Sequence, residues 1–285
     1  MTIPSKDSRA AEDSSVSRES EFYRNEQRRR QRRKLRARPL FKKIASKLGL
    51  AIYRRRENFH YCPEIYGAGY WKKIDIRDVT EFRKLANKVI ADQRTLLHYD
   101  RLYVLYQAIW NVRHLAKPDV SIAEVGVYRG GGSYFIASVV EAVFETQPKI
   151  HAIDTFEGHP DDIHLEDDSH WPGKFGDTSF LDVQSYLSVF PNVMLRKGRF
   201  QERCSDIPDE PFCFIHVDVD IYSATRDCLE FFSDRLLIGG IMLVDDYGST
   251  TCAGCKQAVD DFVAQRRNFL KFHLETGQSL LVKIG

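Results

Sequence analysis

The sequence predicts an α/β fold in which a doubly wound, mostly parallel sheet carries an antiparallel C-terminal hairpin strand. Two observations support this fold class. From about residue 119, short apolar runs that suit buried strands alternate with segments of helical period, which is typical of a parallel sheet with helices on both faces. Near the end, "FLKFHLE" and "SLLVKIG" flank the glycine-containing turn "TGQ", and this spacing indicates a hairpin.

The individual elements follow from the period of the apolar residues. Two amphipathic helices, "DVTEFRKLANKVIADQ" and "YDRLYVLYQAIWNVRHL", come first and form a predicted helical cap over about 78–116. The predicted strands are "DVSIAEVGVY", "KIHAIDTFEG", "NVMLRKGRF", "PFCFIHVDVDIY" and "GGIMLVDDYG". The predicted helices after each of the strands except the third are "GGSYFIASVVEAVFET", "TSFLDVQSYLSVF", "SATRDCLEFFSDRL" and "GCKQAVDDFVAQRR". The sheet core therefore covers about 119–285 of a domain that spans 61–285.

Charge divides the chain into two parts. Residues 1–60 contain 18 Lys and Arg against 7 Asp and Glu, a net charge of +11, and the total of +2 leaves −9 for residues 61–285. A segment this polar cannot bury enough apolar surface to fold by itself, so residues 1–60 are predicted to be a largely disordered basic tail. Apolar residues at helical spacing within it predict a short amphipathic helix at 40–53.

Several interpretations of the basic tail stay open. It could solubilise the protein without a specific partner, bind an anionic membrane surface through residues 28–56, bind nucleic acid loosely or dock on an acidic protein. No nucleic-acid-binding motif accompanies the charge, so no specific nucleic-acid partner is expected. The sequence also leaves open whether the protein is a homo-oligomer.

The lack of an apparent targeting signal and the spacing of the cysteines predict a cytoplasmic protein. No apolar run approaches the roughly 18–20 residues that span a bilayer, and the N-terminus lacks the apolar core of a secretory signal. Six cysteines are scattered without a small-domain disulfide pattern. Cys252 and Cys255 form "CAGC", but no second pair at metal-ligand spacing accompanies them, so a four-cysteine zinc site is not expected. We expect a cytoplasmic location, with peripheral membrane association if the basic tail binds lipid.

A glycine-rich turn, "AEVGVYRGGGS", follows the first predicted strand at the edge where open α/β sheets bind nucleotides. It can be a tight turn without a ligand, and two phosphate-binding motifs fit it poorly. Tyr128 replaces the second glycine of a dinucleotide fingerprint, and Gly132 stands where a P-loop has lysine. A ligand with an amino-acid end and a ribose fits better, because Glu124 can face its cationic end and Asp154 can accept hydrogen bonds from ribose hydroxyls. S-adenosylmethionine is such a ligand.

Five segments together resemble the macrocin O-methyltransferase family, class I methyltransferases with a Rossmann-like fold that methylate sugar hydroxyls of natural products and related glycans. The segments are "EVGVYRGGGS", "AIDTFEG", "KFGDTSFLDV", "FIHVDVDIYSATRDCLEFF" and "GGIMLVDDYGSTTCAGCKQAVDDF". The resemblance covers about residues 90–285 and does not extend to the basic tail. It implies S-adenosylmethionine as cofactor. The predicted cofactor-binding residues are Thr95, Glu124, Gly126, Arg129, Gly130, Ser133, Asp154, Thr155, Phe156 and Asp218.

Four aspartates follow two neighbouring predicted strands. In "HVDVDIY", strand alternation would point Asp218 and Asp220 the same way, and Asp245 and Asp246 end the next strand. Their carboxylates should converge at the C-terminal edge of the sheet. Desolvating several carboxylates together raises their pKa values or requires a cation, and oxygen ligands suit Mg²⁺. Such a metal can chelate two neighbouring hydroxyls of a sugar and lower the pKa of one of them.

The resemblance implies separate roles for these acids. Asp218, Asp245 and Asp246 would be the metal ligands, and Asp220 would be the general base. His216 could serve as the base instead, although its position deeper in the strand favours a structural role.

Two further segments are predicted to border the cleft. The long loop "GHPDDIHLEDDSHWPGKFGDTS" would place Trp171 and Phe175 against a sugar face, with His170 and Asp177 for hydroxyl contacts or, alternatively, a histidine-acid metal site. In "DQRTLLHYDRLYVLY", Arg94, Thr95 and Tyr99 are candidates by resemblance to the family's segment that closes over the methionine end of the cofactor.

The expected function is a Mg²⁺-dependent and S-adenosylmethionine-dependent O-methyltransferase that acts on a sugar or glycoside. Two alternatives stay open. Catechol-like phenols also offer two adjacent hydroxyls to a metal. A non-catalytic domain could instead keep the fold and use the basic tail as a scaffold.

Overall fold

The computed structural model describes residues 80–161 and 170–285, all of which belong to the compact unit Pro63–Gly285. The predicted basic tail, its helix at 40–53 and Cys62 lie outside the described residues. None of the described helices is both long enough and apolar enough to cross a membrane.

Seven strands and seven α-helices occur within the described ranges. The strands are β1 (Ser121–Val125), β2 (Ile150–Asp154), β3 (Val193–Lys197), β4 (Phe212–Val217), β5 (Leu236–Val244), β6 (Phe269–His273) and β7 (Ser279–Lys283). The helices are α1 (Thr80–Ala91), α2 (Tyr99–Val112), α3 (Gly131–Val143), α4 (Phe180–Leu187), α5 (Phe200–Arg203), α6 (Tyr222–Arg235) and α7 (Ala253–Gln265). Single 3₁₀ turns follow α2 at Arg113–Leu115 and α5 at Cys204–Asp206.

One sheet holds all seven strands in the order β3-β2-β1-β4-β5-β7-β6. The first five strands pair in parallel, and β7 pairs antiparallel with both β5 and β6. The structure therefore confirms the predicted doubly wound sheet with an antiparallel C-terminal hairpin. The chain reverses its direction across the sheet between β1 and β4, and open α/β sheets bind ligands outside such a switch point.

Apolar side chains on the two faces of the sheet form two main buried clusters. On one face, α1, α2 and α3 bury Phe82, Leu105 and Phe135 against residues such as Ile122 and Phe214. On the other face, the inward residues of β4 and β5 pack on α6 and α7. The first two helices, predicted as a cap, pack on α3, and α2 also contacts β5. They complete a helical layer, and Arg94 in the segment between them contacts Gly131 of the glycine-rich turn.

Candidate active site

A cavity of about 520 Å³ opens at the C-terminal ends of the parallel strands, a size that is usual for small-molecule sites. Nine of the thirteen residues predicted to bind the cofactor or the metal or to act as the base line this cavity. They are Thr95, Glu124, Gly126, Asp154, Thr155, Asp218, Asp220, Asp245 and Asp246.

The glycine-rich turn after β1 is packed too tightly for larger residues at three positions, of which Gly131 lies against the backbone of Arg94. Gly126 has φ +95°, and a Cβ added to it would lie 1.8 Å from the carbonyl oxygen of Asp218. A Cβ on Gly132 would lie 2.3 Å from Oε1 of Glu124. The turn is therefore held directly against the end of β4 and over the Glu124 carboxylate, where only glycine leaves the necessary space.

Glu124 connects the turn to the middle of the sheet. Its side chain is buried, and its Oε2 accepts a hydrogen bond from the hydroxyl of Ser133 at the start of α3. Nδ1 of the buried His216 lies 3.1 Å from Oε1. His216 lies next to Glu124 because β1 and β4 pair in parallel with these two residues opposite each other.

Asp154 at the end of β2 organises the glycine-rich turn. Its Oδ2 accepts hydrogen bonds from the backbone N–H groups of Val127 and Tyr128 at 2.7 and 2.8 Å, and its Oδ1 accepts one from the N–H of Phe156 at 2.7 Å. These bonds hold the carboxylate at the cavity wall. Its predicted contact with ribose hydroxyls stays a prediction.

Asp218, Asp245 and Asp246 form what we call the carboxylate cluster. One oxygen from each lies within 4.8 Å of the others, because parallel pairing of β4 with β5 ends the two strands side by side. Burial and the neighbouring acids Asp245, Asp246 and Asp220 raise the pKa of Asp218 well above its usual range. Burial, Asp220 and Asp245 raise the pKa of Asp246 to about 7. The cluster therefore crowds three carboxyl groups into a poorly hydrated site, where full ionisation is unfavourable without a cation.

Residues from outside the two strands hold the carboxylate cluster in place. Nη1 of Arg101 on α2 pairs with Oδ2 of Asp245 and lies 3.5 Å from Oδ1 of Asp246. Nε of Arg101 also donates to the carbonyl oxygen of Thr276 at 3.3 Å. The buried Gln278 donates from Nε2 to Oδ1 of Asp245 at 2.7 Å. The C-terminal hairpin therefore supplies two of the groups that fix Arg101 and Asp245.

Asp220 lies beside a different set of side chains, and the prediction that it shares a strand face with Asp218 was wrong. The strand β4 ends at Val217, and Asp220 follows it in a loop with φ +63°. Strand alternation consequently does not apply to Asp218 and Asp220. Oδ2 of Asp220 lies 3.4 Å from Nε2 of His159, and its Oδ1 lies 3.8 Å from Nε2 of His170. Burial raises the pKa of Asp220, but His159, His170 and Lys174 outweigh it and lower the pKa below the ordinary value.

Four residues predicted to bind the cofactor are not among the cavity-lining residues in the described part of the chain: Arg129, Gly130, Ser133 and Phe156. Nη2 of Arg129 pairs with Oδ2 of Asp177 at 2.5 Å. Gly130 has φ +85° and is the N-cap residue that precedes α3. Phe156 packs in a buried cluster with Val183 and Leu187. Contacts of these four residues with a cofactor stay predictions.

The loop after β2 is described on both sides of residues 162–169. Phe175 lines the cavity, whereas Trp171 is 37% exposed. His170 is buried and turns toward Asp220, and Asp177 pairs with Arg129. Among the other candidates, Arg94 lines the cavity and pairs with Asp182 at 2.7 Å.

Three ionisable residues near the aspartates, and Gln278 beside Asp245, were not predicted from the sequence. Arg101 reaches the carboxylate cluster from α2, and His159 and Lys174 reach Asp220 from the loop after β2. The sequence did show that these three residues are ionisable and belong to segments predicted to border the cleft. Helical spacing and loop length, however, do not specify which side chain points inward.

Comparisons with known proteins place the chain in a family. Residues 79–270 match the Macrocin-O-methyltransferase (TylF) family. The mycinamicin III 3''-O-methyltransferase of Micromonospora griseorubida is 29% identical over 223 residues, which cover 74% of this chain and 85% of that protein. The 8-demethyl-8-(2,3-dimethoxy-alpha-L-rhamnosyl)-tetracenomycin-C 4'-O-methyltransferase of Streptomyces olivaceus is 28% identical over 151 residues, which cover 50% of this chain and 57% of that protein.

Solved structures share the fold. The O-methyltransferase NovP aligns with a TM-score of 0.59 at 22% identity, covering 67% of this chain and 83% of NovP. The calicheamicin methyltransferase CalS11 aligns with a TM-score of 0.54 at 16% identity, covering 81% of this chain and 98% of CalS11.

Proposed function

The chain belongs to the macrocin O-methyltransferase family, and we propose that it transfers a methyl group from S-adenosylmethionine to a hydroxyl of a sugar or glycoside. The transfer would depend on a divalent cation, and Mg²⁺ is the expected ion. The two sequence relatives described above are named O-methyltransferases, and the name of one of them contains a rhamnosyl group. One observation carries the proposal. A cluster of three carboxylates and a separate fourth carboxylate line the same cavity as the glycine-rich turn.

The carboxylate cluster fits a hard divalent cation. Its three oxygens lie within 4.8 Å of one another, and Oδ2 of Asp246 is buried without a hydrogen-bond partner among the described residues. Arg101 contacts both Asp245 and Asp246, yet the pKa values of Asp218 and Asp246 stay raised, so the cluster is short of compensating positive charge. Carboxylate oxygens are the ligands that Mg²⁺ prefers. Asp218, Asp245 and Asp246 would hold the ion.

The turn after β1 fits S-adenosylmethionine. Glu124 supplies a carboxylate on the cavity wall for a cationic amino-acid end, and Asp154 supplies one at the end of β2 for ribose hydroxyls. The close approach of Gly126 to Asp218 brings this half of the cavity against the carboxylate cluster. A cofactor in the turn and a cation in the cluster would therefore be neighbours.

The roles of the residues follow from this arrangement. When bound, the cation lowers the pKa of a coordinated hydroxyl and the cofactor supplies the methyl group. Asp220 lies next to the carboxylate cluster but has its own polar neighbours, and these keep its carboxylate ionised. It is the group we assign to accept the hydroxyl proton. Phe175 and the aliphatic residues of the cavity exclude water from the acceptor.

An acceptor panel tests this function directly. The protein is incubated with labelled S-adenosylmethionine and Mg²⁺ together with sugar nucleotides, glycosides and catechols, and the products are identified by mass spectrometry. We expect methylation of a sugar hydroxyl that is lost in EDTA and restored by Mg²⁺. Methylation of catechols alone would contradict the proposed substrate class, and full activity in EDTA would contradict the metal. Failure to bind S-adenosylmethionine in calorimetry would favour a non-catalytic scaffold.

Residues 28–56 carry a separate proposal. Their positive charge favours an anionic membrane surface as partner. Sedimentation with vesicles that contain or lack phosphatidylserine measures this interaction independently of catalysis.

A further inference from the structure

We propose that the protein has a second metal site, built for a zinc-like ion, in which His170, Cys252 and Asp220 are ligands and His159 positions the His170 ring. We call these four residues the histidine cluster. The site is separate in chemistry from the carboxylate cluster, because it offers nitrogen and sulfur donors as well as oxygen. It goes beyond the proposed methyl transfer and does not depend on it.

The distances between the donor atoms match tetrahedral coordination. Nε2 of His170 lies 3.3 Å from Sγ of Cys252 and 3.8 Å from Oδ1 of Asp220. Sγ of Cys252 lies 3.5 Å from the same Oδ1. Zinc bonds of about 2.0–2.3 Å to N, O and S at tetrahedral angles require donor separations of about 3.3–3.7 Å. An ion between these three atoms therefore needs only small shifts of the side chains.

His159 positions two of the ligands. Its Nε2 lies 3.4 Å from Oδ2 of Asp220 and 2.8 Å from Nδ1 of His170. These are the carboxylate oxygen and the ring nitrogen that the ion would not use. His159 can therefore fix the orientation of the His170 ring, as hydrogen-bond partners of ligating histidines commonly do, and the fourth position of the ion is left for water.

Burial and charge favour a divalent ion with these ligands. His170 and Cys252 are 2% and 1% exposed. An imidazole ligates in its neutral form and a thiol as the thiolate, so metal binding at this site is coupled to proton release. Binding would release the thiol proton of Cys252 to solvent. One thiolate and one carboxylate then balance the 2+ charge of the ion, which avoids a net charge in a buried site.

Two other charged groups face this site. Nζ of Lys174 lies 3.2 Å from Nδ1 and 3.4 Å from Nε2 of His170, so its ammonium competes with a metal ion for this ring. One oxygen of Asp246 lies within 4.8 Å of donor atoms of Asp220 and Cys252, so the two clusters adjoin. An ion in the histidine cluster would hold the carboxylate of Asp220 and thereby oppose its role as a base.

Cobalt spectroscopy tests the proposal without any catalytic reaction. Full-length protein is first stripped of bound metal and then saturated with Mg²⁺, without cofactor or acceptor. This sample is titrated with Co²⁺. We expect one equivalent to bind with the intense visible bands of tetrahedral cobalt and a thiolate-to-cobalt band in the near ultraviolet, and Zn²⁺ to displace it. Weak octahedral bands alone, or no binding, would overturn the proposal.

Variants assign the ligands. Cys252→Ser should abolish the thiolate band and His170→Gln should weaken cobalt binding by at least about 10-fold, the lower end of the loss that even outer-shell changes cause. The matched controls Cys255→Ser and Asp218→Asn should retain the tetrahedral spectrum. A thiolate band that persists in Cys252→Ser or vanishes in Cys255→Ser would overturn the assignment.

A gain-of-affinity variant keeps the proposal testable if Cys252→Ser does not fold. Lys174→Met removes the competing ammonium from His170, so it should bind cobalt more tightly than the unmodified protein. Unchanged or weaker binding would contradict the proposed position of the ion. The methyltransferase proposal would survive any of these failures, since its own test is Mg²⁺-dependent product formation.

Discussion

Nδ1 of His216 lies 3.1 Å from Oε1 of Glu124, and its Nε2 lies 3.8 Å from Oδ1 of Asp245. One buried imidazole thus stands between a carboxylate predicted to bind the cofactor and a carboxylate predicted to bind metal. Burial lowers the pKa of His216, but Asp245 and Glu124 outweigh burial and raise it to about 9. The imidazole is therefore held as a cation between two acids.

This shift predicts the pH dependence of a His216→Gln variant in metal-free protein. Because the folded pKa of His216 lies above the unfolded value of about 6.5, its stabilising effect is complete below about pH 6.5 and is lost as the pH rises through about 9. The loss of unfolding free energy caused by His216→Gln should therefore shrink between pH 6 and pH 9.5, by an amount on the order of 3 kcal/mol. Urea unfolding at several pH values measures this, and a loss that does not change with pH would contradict the ion pairs.

The different surroundings of Asp218 and Asp220 predict different defects. Asp220→Asn cannot accept a proton, so its kcat should fall about 10²–10⁴-fold while the affinities for Mg²⁺ and S-adenosylmethionine stay unchanged. Asp218→Asn should instead weaken Mg²⁺ binding. Calorimetry for both ligands, combined with kinetics, separates the two effects. Asp209→Asn is a matched control, because its side chain is 95% exposed and lies 3.6 Å from Arg235. Loss of Mg²⁺ affinity in Asp220→Asn would reverse the assigned roles.

Gly132→Ala should weaken cofactor binding selectively. The new Cβ would lie 2.3 Å from Oε1 of Glu124, so the carboxylate must move from the cavity wall. We expect the dissociation constant of S-adenosylmethionine to rise at least about 10-fold, which corresponds to about 1.4 kcal/mol, with little change in Mg²⁺ affinity. Glu141→Ala on the exposed side of the same helix is the control. Calorimetry reports both constants, and unchanged cofactor affinity would show that Glu124 is not used.

Arg101→Gln should have opposite effects on stability and on metal affinity. Arg101 pairs with Asp245 and Asp246, and removing one partner of a buried ion pair costs about 3–5 kcal/mol. The metal-free variant should therefore unfold at a lower urea concentration. The same change removes a cation from the carboxylate cluster, so Mg²⁺ should bind more tightly and recover more stability than in the unmodified protein. Arg113→Gln at the exposed end of the same helical segment is the control, and weaker Mg²⁺ binding in Arg101→Gln would contradict the competition.

The predictions from sequence succeeded where a pattern is repeated along the chain. The alternation of strand and helix specified the parallel sheet, and the "TGQ" turn specified the hairpin, because both depend on local spacing. The convergence of Asp218 with Asp245 and Asp246 followed from the same topology, since neighbouring parallel strands end at one edge.

The predictions from sequence failed where the position of a side chain depends on a single backbone conformation or on a partner far away in the sequence. Strand alternation placed Asp220 on the face of Asp218, but β4 ends at Val217 and Asp220 adopts a positive φ. A residue with a positive φ interrupts the alternation of side chains along a strand, and the amino-acid composition of the segment does not reveal it. Arg101 reaches Asp245 across 144 residues of sequence, and local patterns contain no information about such a pairing.

The hairpin has a consequence for the order in which the site is assembled during synthesis. A nascent polypeptide that has emerged only as far as β6 already contains every aspartate discussed above. It still lacks Gln278, which donates to Asp245, and the Thr276 carbonyl that accepts from Arg101. Without β7, the edge of β5 also has no partner on that side. Arg101 and Asp245 would thus gain these partners only after the ribosome has added the hairpin, so the carboxylate cluster is assembled last.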